Sequence, residues 1–228
     1  MKIFPSTEFE FSAEEKETQV IFLPKKVTLE HHPFWVVDRN SVPSQEGFVL
    51  CPHVSISIFD LYLIAFQMNT LPGIISLLYI NSSGNYRKSL IKSKILNFML
   101  YEIAPKYQQS LVYLQSLVQT AEMRLSEVTE EDVQYEECSF EVDFFSEIRN
   151  AIGVEFHVGV EIKEKTQVLE RWNEFVNECS KHGELDAESF IKIFAIDNPV
   201  LTSVKRLHIM ARNIVGLSLN TDAYVENT

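Results

Sequence analysis

From Leu61 to Tyr86 the chain carries no charged residue. A run of that length must be surrounded by protein or by lipid, because a helix facing water keeps a polar face. Just before and inside it, Ile56, Ile58, Phe59, Leu61, Tyr62, Leu63, Ile64, Ala65, Phe66 and Met68 are apolar nearly all round. About 20 apolar residues span a bilayer, and Arg87-Lys88 would flank such a span. Gln67, Asn69, Thr70 and the helix-breaking Pro72-Gly73 interrupt the run in its middle. The preferred reading is therefore a buried central helix followed by a second apolar element, Ile74 to Ile80.

Before the run, Val20 and Phe22, Val27 and Leu29, Phe34 to Val37 and Phe48 to Leu50 read as short strands punctuated by Pro24, Pro33, Pro43 and Pro52. They predict a three- or four-stranded antiparallel meander. After it, Tyr86 to Ala104 reads as a helix with Leu90, Ile91, Ile95, Phe98, Met99 and Ile103 inward. Pro105 opens the next helix at its first turn, where a missing N–H costs little. There Tyr107, Leu111, Leu114, Val118, Ala121 and Leu125 recur at spacings of 4, 3, 4, 3 and 4. That is a coiled-coil-type seam, suited to a hairpin with the preceding helix or to a partner chain.

Charge marks the next boundary. The chain has 32 acids against 20 bases, a net charge of -12, which repels polyanions and anionic lipid. Between Glu122 and Glu147 the only base is Arg124, set against Glu122, Glu127, Glu130, Glu131, Asp132, Glu136, Glu137, Glu141, Asp143 and Glu147. Like charges at that density predict a solvated linker over residues 127–138. It divides an N-terminal region 1–126 from a C-terminal region 139–228, with the two packed as one domain as the alternative.

Beyond the linker, Phe140, Phe144, Ile148 and Ile152 keep a spacing of four, Ser139 can cap a helix and Gly153 can end it. Phe140, Val142 and Phe144 also alternate, so a strand competes with that helix. Val154, Phe156, Val158, Val160 and Ile162 alternate strictly and predict a strand. A helix over 166–180 carries Val168, Trp172, Phe175 and Cys179 on one stripe; further helices are expected over 186–196 and from Pro199 to Gly216, before a frayed tail. The fold class expected is α+β, mostly helical: a small N-terminal antiparallel β-meander, then a helical bundle with one further strand.

Chemistry is harder to find. The seven glycines are dispersed, so no loop clusters backbone N–H groups around a phosphate, and no cofactor is expected. The sequence has no G-x-S-x-G, H-E-x-x-H or EF-hand spacing, and no catalytic residue is assigned. Cys51, His53, Cys179 and His182 form a weak zinc candidate, but Cys179 also completes an apolar stripe. His31 and His32 are adjacent and point to opposite faces of a strand. Arg87, Lys88, Lys92 and Lys94 cluster beside Tyr86, a small patch that could touch phosphate; Lys205, Arg206 and Arg212 form another. Three cysteines and an acidic N-terminus without an apolar leader predict a cytoplasmic protein.

These features favour a non-catalytic module that binds another protein, or a second copy of itself, as adaptor, regulator or subunit of a larger complex. Tyr107, Leu111, Leu114 and Val118 of the seam and Glu130, Glu131 and Asp132 of the acidic strip are the expected contacts. The second reading is an enzyme with a dispersed site. The third is nucleic-acid binding through Arg87 to Lys94, which the net charge disfavours, as it does a membrane partner.

Overall fold

The computed structural model describes residues 2–5, 19–25, 27, 34–43, 46–51, 56–81, 90, 92–157 and 167–182. They form an α+β fold that is mostly helical, and the chain divides into two compact units between Leu100 and Tyr101. That division differs from the one expected at the acidic strip, because the seam helix packs on the helices that follow it.

The first unit starts with a four-stranded antiparallel sheet of β1 (Lys2–Pro5), β2 (Gln19–Pro24), β3 (Trp35–Asp38) and β4 (Gly47–Cys51). Its order, β1-β4-β2-β3, is not that of a simple meander, because β4 lies between β1 and β2. Ile21 pairs with Val36 and Leu50, and Phe22 with Trp35 and Val49. Alternate residues therefore meet opposite faces, and both faces are buried. Ile21, Leu23, Val36 and Leu50 join the main core; Val20, Phe22, Trp35, Val37 and Val49 form a second cluster. Burial on both sides explains why β2 reads as a continuous apolar run. Gly47 is required where β4 pairs with the end of β2: a Cβ there would meet the Leu23 carbonyl oxygen at 2.4 Å. Val27 is buried but lies outside any strand.

The described part of the uncharged run folds into two helices, α1 (Ile58–Asn69) and α2 (Leu71–Asn81), bent by 78°. Ser57 and Asp60 cap α1 reciprocally: the Ser57 Oγ accepts from the Asp60 N–H, and the Asp60 carboxylate accepts from the Ser57 N–H. Thr70 makes the corner. Its N–H donates to the Phe66 carbonyl at the end of α1, and its hydroxyl donates to the Gln67 carbonyl while accepting from the Gly73 N–H at the start of α2. A Cβ on Gly73 would lie 2.1 Å from the Gln67 oxygen, so the corner needs glycine there. Leu61, Ala65, Met68, Ile74 and Leu77 reach the main core with the sheet. No single described helix is long and apolar enough to cross a membrane; the bent pair passes by length and composition alone.

The helix expected over 86–104 is reduced, among the described residues, to α3 (Lys92–Ile95). Leu90 donates its N–H to the Lys25 carbonyl, and Phe98 closes a turn on Ile95. Pro105 disfavours helical backbone at Ala104, which sits at φ -56° and ψ 133°. Met99, expected inside, is exposed, whereas Leu90, Ile95 and Ile103 are buried.

Among its described residues the second unit holds three helices: α4 (Pro105–Glu127), α5 (Tyr135–His157) and α6 (Gln167–His182). Pro105 stands at the start of α4 as expected. Only 128–134 connect α4 to α5, so the expected linker over 127–138 is a helix end, a turn and the first turn of α5. Ser139 is interior to α5 rather than its cap, and Gly153 does not end it. The strand expected from Val154 is helical through His157; its remainder, and the helices expected over 186–196 and 199–216, lie outside the described residues.

The buried amide of Asn69 accepts from the Phe34 N–H at 2.9 Å and donates to the Phe34 carbonyl at 2.8 Å. Asn69→Ala would strand both backbone groups, each costing about 1–3 kcal/mol when unsatisfied. The expected loss is about 2–6 kcal/mol, read from urea unfolding by the 19F signal of fluorotryptophan at Trp35, with Trp172 as a reporter in the other unit. An unchanged Trp35 midpoint would show that this bridge does not hold the unit.

Candidate functional site

The seam of α4 is satisfied within its own unit. Leu111, Leu114, Val118 and Ala121 are buried, and α4 packs on both α5 and α6. Burying each large side chain is worth about 1.5–3 kcal/mol, which these residues already gain inside the chain. The seam residues expected at a partner surface, Leu111, Leu114 and Val118, are thus covered within the chain, and Tyr107 is half-buried. The indole of Trp172 on α6 donates to the Ser110 carbonyl at 2.7 Å, and the Ser110 hydroxyl bonds Asn173. Trp172 also lies against Tyr113 and Phe175, with ring centroids 6.3 and 5.5 Å away.

Among the described residues of this unit there is one buried cation. Arg149 of α5 is 2% exposed, and its guanidinium donates to Glu122 at 3.2 Å and to Gln115 at 3.5 Å on α4. Burial pushes the guanidinium below its ordinary value, and the Glu122 carboxylate opposes that shift. Its Nε has no partner. Desolvating two ions costs several kcal/mol apiece, so the pair fixes how α4 meets α5 more than it adds stability. Sequence reasoning overlooked it, although Arg149 is the one charged residue from Ile148 to Val154.

Most of the remaining acidic strip is exposed, with Glu141 and Glu147 half-buried. Glu130, Glu131 and Asp132 lie exposed in the turn between α4 and α5, and Asp132 accepts from both the N–H and the hydroxyl of Thr129 at 2.7 and 3.0 Å. Those bonds, the backbone one first, hold the Asp132 carboxyl below its ordinary range. Arg124 is bound by Glu141 at 2.9 Å. On the outer side of α5, Glu136, Glu137 and Asp143 are exposed around Phe140. Phe140, first in the row at a spacing of four, is 68% exposed, its ring stacked on that of Phe144 at 5.9 Å and 14°. A spacing of four advances about 400° round a helix, so such a row drifts about 40° per step. Ile148 and Ile152 reach the interior, and Phe140, three steps back, does not.

Two members of the weak metal set have described side chains. Cys51 ends β4 in the first unit and Cys179 lies on α6 in the second, while the side chains of His53 and His182 lie outside the described residues. Among the described residues no group of three His, Cys, Asp or Glu side chains could hold an ion. Of the basic patch, Lys92 and Lys94 stand on α3, and Arg87 and Lys88 lie outside the described residues, as do His31, His32, Lys205, Arg206 and Arg212. Comparison with protein-family models, curated proteins and solved structures finds no match.

Two measurements test this site. Glu122→Gln leaves the guanidinium buried without its counter-ion and should cost about 3–5 kcal/mol, whereas Glu122→Leu with Arg149→Met should cost much less. Equal, additive losses, followed at Trp172, would mean that the two side chains do not interact. Asp132 should titrate below an ordinary aspartate near 3.8, and Thr129→Ala should move it part of the way back. The Asp132 turn is then fully held above about pH 4 and loosens as pH falls through the lowered value. An ordinary titration for Asp132 would remove that turn from the acid limb of stability.

Proposed function

We propose that the protein is a non-catalytic, cytoplasmic protein–protein interaction module, an adaptor, regulator or subunit of a larger complex, and that its contact face is the outer side of α5. The stacked pair Phe140 and Phe144 carries this reading. Phe140 is a large aromatic side chain mostly in water, where burial of its ring would be favourable by about 1.5–3 kcal/mol. Aromatic anchors of this kind dominate binding energy at interfaces when a partner desolvates them. Val133, 98% exposed in the turn that leads into α5, adds a second apolar contact nearby in sequence. The surface belongs to a long helix tied to its neighbours by Arg149 and by the buried Ile148 and Ile152, so it is presented without an ordering cost. Cys51, Cys138 and Cys179 are thiols rather than disulfides, in keeping with a reducing compartment.

A photo-activated cross-linker in place of Phe140 should give a discrete adduct with a different protein in the native cell. The same cross-linker at Ser126, exposed near the end of α4, should not. Adducts with a second copy alone, or identical adducts from both positions, would remove the reading.

A further inference from the structure

We infer that the outer face of α5 receives a basic amphipathic helix from another protein; this rests on the interaction reading above and names the chemistry of the partner. On a helix of 3.6 residues per turn, Glu136, Glu137, Phe140, Asp143, Phe144 and Glu147 fall on one side. Phe140 and Phe144, stacked at 5.9 Å, make an apolar ridge one turn long. Glu136 and Glu137 stand one turn before Phe140, and Asp143 one turn after it. All three are exposed, and among the described residues no basic side chain pairs with them. The nearby cations are already engaged: Arg124 holds Glu141 and Arg149 holds Glu122.

The charge selects the occupant. A second copy of the same face would set the carboxylates of Glu136, Glu137 and Asp143 against their own images, and like charges so placed cost several kcal/mol. Nucleic acid and anionic lipid are repelled by the same field. A small cation would satisfy the acids and leave the phenyl ridge wet. A helix with an apolar stripe flanked by Lys or Arg meets both needs. Its stripe covers the ridge in the manner of helix-in-groove recognition, its cations reach the flanking acids, and one can lie over the face of Phe140.

The test uses the full chain and a synthetic 20-residue peptide with a Leu stripe flanked by Lys, compared with the same peptide flanked by Glu. The Lys peptide should bind, and its affinity should fall as salt rises. Phe140→Ser, which leaves every charge in place, should weaken it at least about tenfold, as should Glu136→Gln, Glu137→Gln and Asp143→Asn together. An unchanged 19F signal at Trp172 confirms that both variants fold. Equal binding of the Glu peptide, or no loss in either variant, overturns the inference; in particular, a loss in the charge variant alone means non-specific attraction. The cross-link from position 140 separates the two failures. An adduct that maps to an acidic or uncharged segment ends this inference and leaves the interaction reading standing, whereas absence of a heterologous adduct ends the reading itself.

Discussion

Within the first unit, everything turns on the corner at Asn69 and Thr70. An uncharged run as long as Leu61 to Tyr86 would make a rod that no sheet of four short strands could cover. The chain avoids this by ending α1 with two buried, hydrogen-bonded polar side chains. Asn69 copies the pairing of a neighbouring strand, taking both backbone groups of Phe34 just before β3. Thr70 supplies one last bond to α1 and one first bond to α2. Pro72 brings no N–H that would need an acceptor, and Gly73 allows the Gln67 carbonyl to come close. The polar residues that argued against a membrane span are thus the ones that fold the run back on the sheet.

The second unit solves the opposite problem. Its helices are rich in charge, and its core is a stripe of α4 with the apolar sides of α5 and α6. Directional bonds decide how the helices meet there. Trp172 reaches the Ser110 carbonyl, and Arg149 reaches Glu122. Both join α4 to a partner helix across a long sequence separation, and both leave an unpaired buried group if one member is removed. That penalty penalises wrong packings more than it stabilises the right one.

The seam of α4 was legible because its steps of 4, 3, 4, 3 and 4 average 3.6, the helical period, so the residues stay on one side. The row on α5 steps by four each time and winds off the buried side. Its helical reading survives, while Phe140 at one end is exposed and Ile148 and Ile152 at the other are buried. The alternation from Val154 onward has the period of a strand, yet residues through His157 continue α5, since a helix already propagating adds a bond per residue. Strand β1 carries too few residues between Lys2 and Pro5 for a period to register; pairing with β4 makes it a strand. Arg149 escaped because ion pairs between helices leave no spacing signal, only an unexpected charge inside an apolar stretch.

The acidic strip illustrates why composition alone misreads structure. As a count of carboxylates it predicts a solvated linker; as a structure it divides by direction. Glu122 points into the unit and neutralises Arg149, Glu141 engages Arg124, and Asp132 ties the turn to Thr129. Glu136, Glu137 and Asp143 do none of this work and frame Phe140 instead. If the strip served only solubility, its outward positions would gain nothing from a phenyl ring in their midst, because an exposed aromatic opposes solubility. An acidic frame around an apolar ridge has a use where a partner removes both from water together, since the apolar contact then supplies affinity and the charges select which partner approaches.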